Sequence, residues 1–500
     1  MPSPHEQGEG LGAAIEFTAK ERGRESIMNI ADVLSGSAGL EGIQQMLLSG
    51  PPHEALRREL GALLAAPNIL GPCQLRRARF KPGRKLMAYY DAHVLVEGDG
   101  RHSTRPVFVT WGTFRDGKRY HTPADLAAIE DEAVRRGLST PFRKLAADAP
   151  ELRMHVRVSP LDVRFPQLVR ICDPEYLRDT IAATCAGGDE VVPAGRYSIT
   201  FIRYRPGQRH VLRYDPLEEP ERRSIFAKLY FTREDGERVF SLAKHIREWL
   251  AGHGERVTSV RPLGYVADDA MALYSQVLGA PLSECLQSPG KSLGNLLKGA
   301  GRALYALHQV PQYLAGPLDL HDFAAEVSEI ARTSEHVPAL LPRVGLTLTA
   351  VLERAQELYE LLPQEPPAFA HGDFKAEHVW VSDGEPTLID FDSCHLGDLA
   401  LDVGKFLADL RSWSAVYSQD ELRQSQEQFL AGYGPGAPAD RLVRARLYEA
   451  IELVKMAVRR VRMYEDGWAI RTEQLIGSAQ AALDEFQLRL GSAKRSRNEK

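Results

Sequence analysis

The residues best suited to chemistry lie in one stretch, from His371 to Asp402. It opens His371-Gly372-Asp373-Phe374-Lys375-Ala376-Glu377-His378 and passes into the apolar run Val379-Trp380-Val381. A turn, Ser382-Asp383-Gly384-Glu385-Pro386, leads to Thr387-Leu388-Ile389-Asp390-Phe391-Asp392, and Gly397-Asp398-Leu399-Ala400-Leu401-Asp402 follows. An Asp-Gly pair between two β-rich runs predicts a tight hairpin. Such a hairpin returns the chain so that His378 meets Asp390 and Asp392, gathering an imidazole and two acidic sites at one end of a small sheet. Phosphoryl transfer asks for such a group: one carboxylate to orient and deprotonate a hydroxyl, others to hold the metal that bridges nucleotide phosphates. The alternative is an acidic turn between two core strands. The ordered set of His-Gly-Asp, a metal-capable side chain and Ile-Asp-Phe beyond a hairpin is more specific than that.

These motifs resemble the catalytic loop and metal segment of the aminoglycoside phosphotransferase and choline kinase-like family. The resemblance implies an α+β chain with the two-lobed protein-kinase-like fold: an antiparallel-sheet small lobe and a mainly helical large lobe. It implies ATP and Mg²⁺ as cofactors, Asp373 as catalytic base and Asp390 as a metal ligand. His378 stands where the family usually has Asn, sometimes Gln, and so becomes the second candidate ligand, although hard Mg²⁺ favours oxygen. Lys375, two residues after Asp373 as in protein kinases, would reach the transferred phosphoryl group. By the same resemblance Lys228, in the apolar run Phe226-Ala227-Lys228-Leu229-Tyr230, grips the nucleotide phosphates. The family's helix Glu partner for this Lys has no clean counterpart, since Glu237 and Glu248 both fall out of place. Arg209, in the Pro206-Gly207-Gln208-Arg209 turn, is a further phosphate contact. Backbone groups of Gln276 and Val277, at the hinge before Gly279, would meet the adenine.

Several elements must position these side chains. A repeat precedes the small lobe. Arg79-Phe80-Lys81-Pro82-Gly83-Arg84, with its returning run to Asp91, matches Arg203-Tyr204-Arg205-Pro206-Gly207-Gln208, with its run to Asp215. The match continues through a strand (Val107–Thr110, Ile225–Lys228), an Asp-Gly turn (Asp116-Gly117, Asp235-Gly236) and a helix. The first helix has capping-box spacing from Thr122 to Asp125; the second is expected from Glu237 to Leu250. Duplication accounts for this better than two unrelated Pro-Gly hairpins. The first copy has Thr110 where the second has Lys228, and reads as a degenerate small-lobe-like region. The expected divisions are a loosely ordered tail (1–52), the degenerate region (53–188), a nucleotide-binding small lobe (189–278), a helical catalytic lobe (279–490) and a polar tail (491–500). Helices are expected from His53 to Ala65, Leu293 to His308, Leu346 to Leu362 and over 439–490. Asp402, opening an apolar helix, is placed to accept backbone N–H bonds from the catalytic loop. Arg444, Lys455, Arg459, Arg460 and Arg462 lie off the apolar stripe of the last helical region and read as a solvated basic face or as an acceptor wall.

Composition sets the outer bounds. The chain has 500 residues, 44% hydrophobic and 26% charged, with a formal net charge of −5, which gives no whole-chain footprint for nucleic acid. Five scattered cysteines without a CxxC suit a reducing cytoplasm rather than a disulfide frame or a zinc site. No signal pattern or apolar run of membrane-spanning length is visible. The leading expectation is therefore a cytoplasmic ATP- and Mg²⁺-dependent kinase of a small-molecule hydroxyl, with no nucleic-acid or membrane partner. Its rivals are a nucleotide-binding pseudokinase and a protein kinase. The absence of an Ala-Pro-Glu motif or long segment between Asp392 and Asp398 argues against the protein kinase.

Overall fold

The computed structural model describes residues 29–96, 102–112, 123–186, 192, 195–253, 256–288, 290, 292–413 and 419–498. The first sheet comprises β1 (Ile69–Lys81), β2 (Lys85–Leu95), β3 (His102–Gly112), β4 (Ala146–Ala149) and β5 (Met154–Val158), in the order β1-β2-β3-β5-β4. Helices Ile30–Ser35, Gly39–Leu48 and Pro51–Leu63 pack on it. Val33, Ile43, Met46, Leu47, Leu56 and Leu60 are fully buried there, each large side chain stabilising the fold by about 1.5–3 kcal/mol. Loose order thus does not describe residues 30–48, which form two short helices whose buried faces join this core; residues 1–28, Thr122 and the Asp116-Gly117 turn lie outside the described residues. Met463 and Trp468, from near the far end of the chain, join the same core.

The second sheet comprises β6 (Tyr197–Arg205), β7 (Arg209–Pro216) and β8 (Ile225–Leu229). β9 (Thr258–Ser259) pairs elsewhere, and β10 (Pro262–Val266) and β11 (Met271–Ser275) complete the sheet. Its order is β6-β7-β8-β11-β10, so each sheet runs first, second, third, last, penultimate, with a helix after the third strand. In β8 the alternation buries Ile225, Ala227 and Leu229 in the sheet's own core and turns Phe226 and Lys228 to the other face. The following helix spans Arg233–His253 and begins earlier than expected. Asp235 and Gly236 are its first turn rather than a separate turn before it, because the Thr232 hydroxyl accepts from Asp235 N (3.1 Å) and starts the helix there.

The remaining chain is mainly helical. Its long members are Leu293–His308, Pro342–Glu360, Ala400–Ser412, Gln419–Tyr433, Ala439–Arg459 and Trp468–Asn498, the last continuing through most of the expected polar tail. β11 passes through residues 276–279 into β12 (Ala280–Pro281); β13 (Ala368–Ala370) runs up to His371, and β12 pairs with β14 (Val379–Ser382). Gly279 makes this crossing possible: its φ is +84°, and a Cβ there would lie 2.0 Å from the Val381 carbonyl oxygen. β14 and β15 (Glu385–Leu388) form the expected hairpin, with Asp383 and Gly384 both at positive φ as a type I′ turn requires. β15 pairs in parallel with β9, a second tie between the sheet-bearing and helical halves. The expected two-lobed arrangement is present: a five-stranded antiparallel lobe, a hinge and a helical lobe.

Candidate active site

One face of the Ala400–Ser412 helix builds the catalytic loop. Asp402, Lys405 and Asp409 follow helical spacing and all point at it. Asp402 accepts from His371 N (2.6 Å) and Gly372 N (2.8 Å), and its buried carboxylate also meets His308 Nε2 (3.0 Å). Asp409 accepts from Ala376 N (2.7 Å). Lys405 Nζ lies 3.2 Å from Asp373 Oδ1. Phe374 is fully buried and packs on Phe406 of the same helix. Gly372, at φ +76°, passes so close to the next turn that a Cβ would sit 2.2 Å from the Ser393 carbonyl oxygen. The His371 ring donates from Nε2 to the Ile389 carbonyl (3.1 Å), which leaves Nδ1 to accept from Asp373 N (3.3 Å). One side chain thus fixes the loop to the strand that leads into Asp390.

Asp390 sits at φ +68°, a left-handed conformation that Asp tolerates better than most residues. Its Oδ1 is 2.6 Å from Lys228 Nζ and its Oδ2 3.4 Å from His378 Nε2. Lys228 Nζ also reaches Asp392 Oδ1 (3.3 Å), which accepts from the Tyr230 hydroxyl (3.0 Å), while Arg209 lies 2.9 Å from Asp392 Oδ2. The partners of Lys228 are therefore the acidic turn and not a helix Glu; neither Glu237 nor Glu248 pairs with it. Lys375 Nζ stands 3.2 Å from Asp373 Oδ2 and 3.3 Å from Glu377. Lys228, Arg209, Asp373, Lys375, His378 and Asp390, predicted from separate parts of the chain, meet in one charged cluster.

Electrostatics set the charge states. Burial alone would raise the Asp373 carboxyl, but the Lys405 and Lys375 ammoniums outweigh it and hold it below the usual range. Burial would lower Lys228, and the Asp390 and Asp392 carboxylates reverse that and raise it. Burial, reinforced by Lys375, pushes His378 down to about 3, so its ring is neutral at physiological pH. Its Nδ1 lies 2.9 Å from the Asp373 carbonyl oxygen and must donate to it, which leaves the Nε2 lone pair facing Asp390. Donor atoms of Asp373, His378 and Asp390 all lie within 4.8 Å of one another, a spacing that could hold one cation.

Other parts of the neighbourhood depart from the sequence reading. At the hinge, Gln276 N donates to Ser224 O (3.0 Å) and its side-chain oxygen accepts from Ser224 N (3.1 Å). Of the groups expected to meet a base there, the Gln276 N–H is already committed. The basic face of the last helices is not solvated throughout. Arg444 is fully buried against Asp398 (2.7 Å), and Lys455 is buried between Glu326 and Glu452. Glu452 in turn lies 3.0 Å from Lys405, so alternating charges run inward from Asp373 through Lys405, Glu452 and Lys455 to Glu326. The sequence held a signal for Lys405 and Asp409: polar residues recurring at helical spacing with Asp402 inside an otherwise apolar helix.

Residues 217–445, which carry Lys228, the catalytic loop and the acidic turn, match the family model for the phosphotransferase enzyme family. Among solved structures, the chain is similar to an aminoglycoside 2'-phosphotransferase in complex with GDP. The two are 14% identical, with 64% of this chain and 99% of that one covered and a TM-score of 0.41. It is also similar to choline kinase from Cryptosporidium parvum Iowa II (11% identity; 63% and 96% covered; TM-score 0.44). A third is an amicoumacin kinase in complex with AMP-PNP and Ca²⁺ (14% identity; 62% and 93% covered; TM-score 0.42). A search of the curated proteins found no match.

Proposed function

We propose that the protein transfers the γ-phosphoryl group of ATP to a hydroxyl of a small molecule. The carrying observation is that Asp373, kept ionised by two lysines, shares one cluster with His378 and Asp390, and Asp390 in turn holds Lys228. Asp373 would orient the acceptor hydroxyl and take its proton as the new P–O bond forms. Lys375 would meet the migrating phosphoryl group, and Lys228 with Arg209 would neutralise the nucleotide phosphates. Asp390 and His378 fit a divalent cation as one oxygen and one neutral nitrogen donor; when bound, Mg²⁺ would neutralise charge on the β- and γ-phosphates. Gln276 and Val277 would border the base, the first through its carbonyl.

Support for a soluble-metabolite setting is compositional: five free cysteines fit a reducing cytoplasm, and among the described residues no helix is long and apolar enough to cross a membrane. One observation favours a second reading, a pseudokinase. His378 occupies a metal-ligand position with nitrogen, and Lys228 is tied to both acidic residues that a cation would use.

The test is a thermal-shift titration with ATP, with and without Mg²⁺, followed by transfer of labelled γ-phosphate to a panel of sugars, amino alcohols and antibiotics. A metal-dependent rise in melting temperature, worth about 2.7 kcal/mol at 100 times Kd, together with labelled small-molecule product, supports the kinase. Stabilisation by ATP with no transfer supports the pseudokinase, and no stabilisation refutes both.

A further inference from the structure

A cavity of about 1150 Å³ lies between the two sheets and the helical lobe, and it opens onto the catalytic loop at Lys375. Its walls come from the edge strand of each sheet, β1 and β6. Arg77 and Arg79 alternate on β1, and Arg203 and Arg205 alternate on β6, so each strand turns two guanidiniums to the same side. All four are partly buried. Among the described residues no carboxylate pairs with any of them; Arg79 has only a 3.4 Å contact to the Gln208 side chain.

The four carboxylates that line the cavity are already engaged. Asp91 pairs with Arg76, Glu329 with Arg459, Glu335 with Arg84 and Glu377 with Lys375. Burial and the neighbouring guanidiniums push Arg205 down to about 9 and Arg77 to about 10. Four like charges held together and partly desolvated disfavour the empty fold unless an anion balances them. Planar guanidiniums at alternate positions suit the paired oxygens of phosphate groups.

We propose that this cavity is the acceptor site and that the acceptor is a small molecule which already carries phosphate groups beside the hydroxyl to be phosphorylated. The inference rests on the kinase reading for the word acceptor, and on the cavity alone for the anion. Its second consequence is a role for the first sheet, which supplies one basic wall of a site whose chemistry lies in the other half of the chain. Lys375, 3.2 Å from Asp373, marks where such a molecule would present its hydroxyl.

The experiment fills the nucleotide site with a non-hydrolysable ATP analogue and Mg²⁺. It then measures binding of glucose, glucose 6-phosphate, fructose 1,6-bisphosphate, inositol hexakisphosphate and kanamycin by calorimetry and thermal shift. Affinity should rise with phosphate number and fall with salt. In the Arg77→Gln/Arg205→Gln double variant the affinity for the phosphorylated probes should drop about 10- to 100-fold. The melting temperature of that variant without ligand should equal or exceed the wild type's, because repulsion is relieved; this guards against simple misfolding. Equal binding of the phosphorylated probes by both proteins, or preference for glucose or kanamycin, overturns the proposal. Wild type that binds ATP and phosphorylates an uncharged or cationic acceptor sinks this inference while sparing the kinase. Wild type that binds the phosphorylated probes but not ATP sinks the kinase and with it the word acceptor, leaving only the anion site.

Discussion

Replacing Lys405 by Met removes one ammonium from between Asp373 and Glu452 and little volume. Lys405 Nζ is 3.2 Å from Asp373 Oδ1, and at an effective dielectric constant near 20 their gross attraction is about 5 kcal/mol. Burial offsets part of this and Lys375 remains, so the net effect on Asp373 should be an upward shift of about 1–3 pKa units, or about 1.4–4 kcal/mol. The sign follows from the direction of the native shift. The Asp373 carboxyl is held below its unfolded value, so it stabilises the fold above about pH 4, and that contribution is lost as pH falls through the native pKa. In Lys405→Met the melting temperature should therefore drop at neutral pH, and the gap to wild type should narrow only as pH falls through the variant's own Asp373 pKa. Glu452 keeps Lys455 at 3.2 Å, so the variant should still fold. The decisive assay is kcat/KM for phosphoryl transfer against pH. Wild type should show no acid limb from Asp373 down to the limit of folding, whereas in the variant the limb should move up toward the ordinary carboxylate range near pH 4. An acid limb in the same place for both proteins would refute the claim that Lys405 sets the charge of the base.

Asp402→Ala should lower the melting temperature and activity together although it touches no reactant. It strands the buried N–H groups of His371 and Gly372, at about 1–3 kcal/mol each, and a scan of both proteins by calorimetry checks this. Asp402→Asn should recover part of the loss. His378→Asn should change metal preference: the ratio of Mn²⁺- to Mg²⁺-supported kcat/KM should fall, because an oxygen donor replaces a nitrogen. An unchanged ratio would remove His378 from the metal site.

The local motifs were readable because their chemistry is tied to short spacing. The Asp383-Gly384 turn, the loop around Asp373, the Ile389-Asp390-Phe391 segment and Asp402 at the head of a helix each carry their structural reason within a few residues. Lys228 was readable as a charge that an apolar strand would not otherwise tolerate. Its partner was not, because the 162-residue gap to Asp390 is closed only by the hinge and the hairpin. The buried line through Lys405, Glu452, Lys455 and Glu326 was hidden for a related reason. Charged residues three apart on a helix look like a solvated face until a neighbouring helix covers them. The order of residues 30–48 was hidden by the Gly-, Ser- and Glu-rich composition of the first fifty residues taken together, although Val33, Ile43, Met46 and Leu47 lock them to the first sheet.

The most direct test of the central claim is label transfer from ATP by Asp373→Ala beside its ATP-induced thermal shift. The account predicts that transfer falls by about 10²–10⁴-fold while the shift with ATP and Mg²⁺ persists through Lys228 and Asp390. Transfer within a few-fold of wild type would contradict it.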